Sequence, residues 1–419
     1  MTVASPRHVV LLLNNPFTAD SRSWKLARSL TDAGSIVTVV ARPAPGLPER
    51  EQQDGIRVVR IAQPRPLARL PAPGLPSGEE TGPTVVGRVR DTVGRAVQAV
   101  RYLLLARAWA DRISASVDTA DIWQAEGLVT LPVALRLRVK LGGLVVYDSR
   151  DVHVESARFA RLPGPWRRLL ARGERGWAGS ADSVVTVSQP YAEVLQQMIG
   201  RSPTIVMNGP IAWARPDAPE RLIHARLGLD PSTRVALYLG AVAADRGVEQ
   251  AIAAIALVPD ATLVVVGDGP VKAACQELAR GSPAADRIHF LPPAAPAEIP
   301  PLTASADVSL MPVIANTLNH RLNTPTKLFD AMGAGTPVVA SDLPGMAPIV
   351  RETGCGVLCD PTSPADIARA IREVIDAPPE RREEYTRACL AAARGPYAWD
   401  RQVERLLDLY RELEEGRPN

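Results

Sequence analysis

The segment Pro325-Thr-Lys-Leu-Phe-Asp330 sets a cation and a carboxylate three residues apart at the start of a short helix. Pro325 cannot sit inside a helix but suits its first turn, where the missing N–H costs nothing. Thr324 or Thr326 can cap the orphan N–H groups there. Leu328, Phe329 and Met332 follow at helical spacing, and Gly333 and Gly335 stop the helix. Pro337 then opens an apolar strand, Val338-Val339-Ala340. A loop feeding a helix N-terminus offers free N–H groups and the positive end of a dipole, a site for an anion such as phosphate. Lys327 adds a full charge at that point. Asp330, one turn on, can accept hydrogen bonds from a hydroxyl pair.

A second concentration of chemistry is Asp148-Ser-Arg-Asp-Val-His-Val-Glu155, with six ionisable or hydroxyl groups in eight residues. It follows the apolar run Leu144-Val-Val-Tyr147, and the carboxyl end of a parallel strand is where sites form in doubly wound folds. A charged surface loop is the alternative. Asp20 and Arg22 flank the loop after the first strand, with a plain helix cap and a surface arginine as the other reading.

These residues need elements to hold them. Val9 to Leu13 is a short, all-apolar run of the kind expected in a central parallel strand. A helix capped by Asp20 or Ser21 follows, with Trp24, Leu26, Ala27 and Leu30 on one face, and Ile36 to Val40 is the next strand. No G-x-G-x-x-G follows the first strand, so this βαβ start is not a dinucleotide fingerprint. Further strands are expected at Ile56–Ile61, Asp121–Gln124, Leu144–Tyr147, Ser183–Val187 and Pro203–Met207. Asn208-Gly209-Pro210 is a turn signal and the expected domain boundary. The second half repeats the plan with strands at Val235–Leu239, Thr262–Val266, Ile288–Leu291, Val308–Met311 and Val357–Asp360. The last helix, Trp399 to Glu415, carries Val403, Leu406, Leu407 and Tyr410 on one face.

At 419 residues the chain is too long for one ordinary core, and 46% apolar content fits a soluble globular protein of two domains. No stretch approaches a membrane span, and the N-terminus runs into a strand without a signal-peptide pattern. Four cysteines without paired CxxC spacing point to a reduced, cytoplasmic compartment. Heavy use of Ala, Arg and Pro fits a high-GC bacterial source. Residues 1–210 hold 27 Lys and Arg against 18 Asp and Glu, whereas the rest holds 21 against 27. A basic first half suits an anionic partner or the inner face of a membrane, or is an ordinary arginine-rich surface. Pro64 to Pro83 reads as a loop. Residues 85–114 read as a basic amphipathic helix that either touches an anionic surface or packs with a solvated arginine face.

In this order the motifs resemble the family-4 retaining glycosyltransferases of the GT-B fold, over nearly the whole chain. The resemblance is carried by Tyr238-Leu-Gly-x5-Arg246-Gly247, Val264-Val-Val-Gly-Asp-Gly-Pro270, Ala306-Asp-Val-Ser-Leu-Met-Pro312 and Asp330-Ala-Met-Gly-Ala-Gly-Thr-Pro-Val-Val-Ala-Ser-Asp342. Val146-Tyr-Asp-Ser-Arg-Asp151 and Ala181-Asp-Ser-Val-Val-Thr-Val-Ser188 are also family-like. It implies an α/β fold of two Rossmann-like domains facing across a cleft. The acceptor-binding domain would span 1–209, the nucleotide-sugar domain 210–395, and a helix in 396–419 would cross back to the first. The donor, a UDP-linked sugar by expectation, would need no metal or other cofactor. Arg246 and Lys327 would stabilise the diphosphate as it leaves. Gly240, Gly267 and the N–H groups of Thr326 to Leu328 would line the phosphates, and Asp330 would hold the ribose.

Two positions depart from the family pattern. Ala241 stands where most members have Arg, and Leu322 where they have the first of two Glu. The motif instead resembles the subset with Pro-x-Lys-x-Phe-Glu/Asp, and contacts to the donor sugar would fall to Asn319, His320 or Asn323. His153 would position the donor hydroxyl or polarise the acceptor, with Asp151 a further catalytic candidate in the same loop, His153 being otherwise an ordinary loop histidine. The expected activity is retaining transfer to a glycan, lipid-linked or secondary-metabolite acceptor, with no nucleic-acid partner. A sugar-nucleotide epimerase and a non-catalytic nucleotide-binding partner of the same fold are the alternatives.

Overall fold

The computed structural model describes residues 6–18, 20–63, 105–155 and 164–416. The loop expected at Pro64–Pro83 and most of the basic helix expected at 85–114 lie outside the described residues. Of that helix, 105–114 is described and helical. There Trp109, Ala110 and Ile113 are buried while Arg107 and Arg112 face solvent, the pattern of a packed helix with a solvated arginine face.

The chain divides into two compact units. The first comprises residues 1–186, 192–204 and 407–419, and the second 187–191 and 205–406. In the first, an eight-stranded sheet has the order β3-β4-β2-β1-β5-β6-β7-β8. Its strands are β1 (His8–Leu12), β2 (Ile36–Ala41), β3 (Arg50–Gln53), β4 (Ile56–Arg60), β5 (Ile122–Glu126), β6 (Leu144–Ser149), β7 (Ser183–Thr186) and β8 (Thr204–Ile205). From β4 through β7 the strands pair in parallel, and their apolar runs are buried on both faces, as such sheets require. The polar strand β3 was not expected. It pairs antiparallel with β4 through the turn Asp54-Gly55, both residues at positive φ, as a two-residue hairpin needs.

The second unit has a six-stranded sheet in the order β11-β10-β9-β12-β13-β14. These strands are β9 (Arg234–Leu239), β10 (Ala261–Val266), β11 (Ile288–Leu291), β12 (Val308–Met311), β13 (Val338–Ser341) and β14 (Gly356–Cys359), and every pairing is parallel. The order reverses between β9 and β12, so a crevice opens outside their carboxyl ends. Each unit is therefore a Rossmann-like α/β layer. The last helix, Trp399–Glu415, contributes to both, with Trp399–Leu406 in the second unit and the rest in the first.

Several local expectations are corrected. Trp24 is 37% exposed, because the buried face of helix Ser21–Asp32 is formed by Leu26, Ala27 and Leu30 with Arg22, Ser23 and Lys25. Leu322 ends a short helix, Leu318–Leu322, just ahead of the segment Pro325–Asp330. Neither Thr324 nor Thr326 caps the next helix, Thr326–Ala334, whose N-cap is Pro325. The Thr324 hydroxyl donates to the Gly345 carbonyl (2.9 Å), and the Thr326 hydroxyl accepts from Asn208 (2.6 Å). Gly333 lies inside that helix. A Cβ there would meet Pro210 Cβ at 2.9 Å, so the position is small for packing and not for termination. Gly335 alone ends the helix, left-handed at φ 68°. The strand expected over Pro203–Met207 shrinks to Thr204–Ile205.

Candidate functional site

Within the second unit the donor-site candidates collect at the carboxyl ends of β9, β10 and β12. Strand β9 ends in Tyr238-Leu239 and hands over to Gly240, whose amide donates to the Val266 carbonyl of β10 (2.9 Å). A Cβ on Gly267 would lie 1.9 Å from the Gly240 carbonyl oxygen, and one on Gly247 would lie 1.9 Å from that of Pro312. Both glycines have positive φ, so only glycine lets these turns nest against each other. The loop 240–247 is thereby fixed on both sides. It is tied further by Ile314 N–H to the Asp245 carbonyl (2.9 Å) and Asn316 to the Asp245 carboxylate (2.5 Å). This loop carries Arg246.

Helix Thr326–Ala334 starts at the same end of the sheet, just after β12 and the helix Leu318–Leu322. Its first turn presents Thr326 and Lys327. The Leu328 amide donates to Pro325 O (3.0 Å), which corrects the expectation that it serves a phosphate. Lys327 is half-buried, with Nζ 3.7 Å from the centroid of the Tyr238 ring. Burial, aided by the charge of Arg246, pushes the Lys327 ammonium down to about 7. Asp330 sits on the same helix one turn further along. His320 and Asn323 lie on the connection into it. The His320 amide is bonded to the Thr317 side chain (3.1 Å), and the buried Asn319 receives the Tyr191 hydroxyl on its carbonyl (3.1 Å). Lys272 is a cation the sequence reading missed, its ammonium donating to the Gly267 carbonyl (2.8 Å). Its only signal was its place one turn beyond the Gly267-Asp-Gly-Pro270 turn.

The first unit gathers a different set at the carboxyl ends of β1, β5 and β6. Arg150 donates to Asp20 (3.1 Å), to the Ser23 hydroxyl (2.9 Å) and to Glu126, and lies 3.7 Å from Asp148. Arg22 pairs with the fully buried Asp148 (3.2 Å). Three carboxylates thus surround two guanidinium groups. Burial, with Asp148 and Asp20 adding to it, pushes Glu126 up to about 7 against the pull of Arg150. Burial also works on Asp20, but Arg150 and the bonds from Ser23 and Asn15 hold its carboxyl below the usual range. Glu126 in turn accepts from Gln124 (2.7 Å), and Gln124 accepts from Tyr410 of the last helix. Sequence reading named Asp20, Arg22 and Arg150 separately and missed Glu126 altogether.

His153 and Asp151 fall in the same unit but outside that network. His153 Nε2 accepts the Leu128 amide (3.2 Å), so the ring proton sits on Nδ1, and burial lowers its basicity. Its ring stacks on Tyr147, centroids 6.4 Å apart, and the Tyr147 hydroxyl donates to Glu174 (2.8 Å). Asp151 is exposed, and its carbonyl accepts from Ser149 (3.1 Å). Among the described residues no cluster of His, Cys, Asp and Glu has the arrangement to hold a metal ion, and no helix is long and apolar enough to cross a membrane.

The second unit's arrangement can bind an anion with oxygen atoms on several centres: a helix N-terminus, two adjacent cations and a glycine-lined crevice. The chain is similar to several known proteins. Residues 219–389 match the family model of glycosyl transferases group 1. Over 367 residues the chain is 29% identical to a 2-deoxystreptamine glucosyltransferase of Streptomyces kanamyceticus, covering 84% of this chain and 88% of the relative. A D-inositol 3-phosphate glycosyltransferase of Acidothermus cellulolyticus is 30% identical over 269 residues, 60% of this chain and 57% of the relative. Among solved structures, a sucrose-phosphate synthase from Thermosynechococcus elongatus superposes with a TM-score of 0.75 at 18% identity, covering 98% of this chain and all of that one. The Anabaena protein HepE, crystallised with UDP-glucose, gives 0.71 at 18% identity over 97% of this chain and 99% of its own. At those identities the likeness establishes the fold, which is GT-B.

Proposed function

We propose, taking the chain as a glycosyltransferase of the GT-B fold, that it moves a sugar from a UDP-linked donor to a hydroxyl of a small secondary-metabolite polyol, with retention at the anomeric carbon. The observation that carries this reading is Lys327 on a helix N-terminus beside Arg246, at the carboxyl ends of β9 and β12. The diphosphate takes the first-turn N–H groups of Thr326 and Lys327, and Arg246 and Lys327 neutralise the charge that grows as the anomeric C–O bond breaks. Asp330 accepts from the ribose hydroxyls. Asn323 and His320 border the sugar. The acceptor oxygen attacks from the face the phosphate leaves, and its proton passes to the departing phosphate oxygen, so no side-chain nucleophile is needed. Positive side chains and the helix end take the part a divalent metal plays elsewhere. The aminocyclitol-glycosylating relative supports a small polyol acceptor, and HepE's UDP-glucose supports the donor.

The test is a panel of nucleotide sugars with aminocyclitol, inositol and inositol-phosphate acceptors, scored by nucleoside diphosphate release and product anomer. Transfer that requires UDP-sugar and vanishes in Lys327→Ala is the expected result. Binding without release across the panel would make the chain a nucleotide-binding partner, and a free epimerised sugar would make it an epimerase.

A further inference from the structure

Tyr238 is used by nothing described so far, yet it touches both halves of the proposed diphosphate site. It is 1% exposed, at the end of β9. Its hydroxyl donates to the Ala241 carbonyl (2.8 Å), inside the loop that carries Arg246. Its ring face lies under the Lys327 ammonium at 3.7 Å from the centroid. Ala241 is also the position where the motif it resembles has a cation.

We infer that Tyr238 is a positioning residue for the donor, holding Lys327 in place through its ring and the Arg246 loop through its hydroxyl. This rests on the donor reading above. Two influences oppose a positive charge at Lys327, namely burial and Arg246. The negative face of an aromatic ring acts in the opposite sense and is strongest where water is excluded. The ring is thus the contact that keeps an ammonium beside Arg246 before a diphosphate arrives. A loose lysine at this point would swing to solvent, away from its like-charged neighbour. The hydroxyl adds a second constraint, because the loop that carries Arg246 begins at the residue it grips. One side chain therefore sets the spacing of the two cations, and this is how the chain manages with Ala at 241.

The test is a double-mutant cycle on UDP affinity, measured by calorimetry on the full chain with Tyr238→Leu, Lys327→Ala and the pair. Tyr238→Leu alone should weaken UDP binding on the order of tenfold, the scale of a desolvated cation–π contact. In the Lys327→Ala background the same change should cost less, because the ring's share of the effect runs through the lysine and only the hydroxyl's hold on the Arg246 loop is left to lose. Tyr238→Phe keeps the ring and should recover most of the loss. It also reports on UDP affinity if Tyr238→Leu folds poorly. Equal losses from Tyr238→Leu with and without Lys327, or a Phe variant as weak as Leu, would overturn the role. If the wild-type chain binds no nucleoside diphosphate at all, the donor reading fails and takes this inference with it.

Discussion

Lys327 combines two properties that pull apart. In the proposed site it must be positive to hold a diphosphate, yet burial and Arg246 bring its proton affinity down to about 7. Diphosphate binding favours the ammonium, so UDP affinity should fall as pH rises above about 7, once the diphosphate itself is fully ionised. Lys327→Arg keeps its charge throughout and should flatten that profile. A wild-type affinity constant from pH 7 to pH 9 would sink the assignment. Glu174 offers the same reasoning for stability. It is almost fully buried, and burial raises its carboxyl to about 7 against the Tyr147 hydrogen bond. A carboxyl raised in the fold stabilises most below its unfolded value near 4.5, and that contribution is lost as pH climbs through about 7. Glu174→Gln should remove this loss, on the order of 2 kcal/mol, from the change in stability between pH 5 and pH 8. Denaturant midpoints at the two pH values measure it. An unchanged pH dependence in the variant would show that Glu174 ionises normally in the fold.

At the scale of elements, the first unit is pinned by Arg150 reaching from the end of β6 to the cap of helix Ser21–Asp32 and to the end of β5. A buried ion network adds little net stability when complete, but losing one partner strands the others without compensation. Arg150→Met should therefore cost about 3–5 kcal/mol at pH 8, where Asp20, Glu126 and Asp148 would face one another. The loss should shrink at pH 5, where Glu126 takes up a proton and relieves the repulsion. A urea midpoint unmoved at either pH would mean the network is decoration. This constellation also shows where sequence reading stops. Asp20, Arg22 and Arg150 stood out because each follows closely on an apolar run. Glu126 is a single carboxylate ending a strand, and its guanidinium partner comes from just past the end of the neighbouring strand. Local spacing does not encode that pairing. Strand β3 was hidden for a related reason. Arg50-Glu-Gln-Gln53 has no apolar alternation, and only Asp54-Gly55 marked the hairpin.

On the scale of the molecule, two α/β units were readable because parallel strands buried on both faces write themselves as short Val- and Leu-rich runs. The candidate anion site of the second unit was readable as residues but not as a state. The contact between Lys327 and Tyr238 joins strand β9 to a helix far along the chain, and the lysine's lowered proton affinity follows from its burial there and from the charge of Arg246. Each unit has its own apolar core, one around β10 and the helix Pro364–Ile375, the other around β1, β5 and β6. Ligand binding to a folded unit stabilises it by mass action, about 2.7 kcal/mol at a hundredfold excess over Kd. If the diphosphate site belongs to the second unit, UDP should raise the stability of that unit in particular. Hydrogen exchange reads this directly. With UDP bound, the strongest new protection should fall on 240–247 and 323–334, with lesser change at 20–23 and 148–153 of the first unit. Protection centred on the Arg150 network instead would move the nucleotide to the other sheet and leave Lys327 and Arg246 without their role.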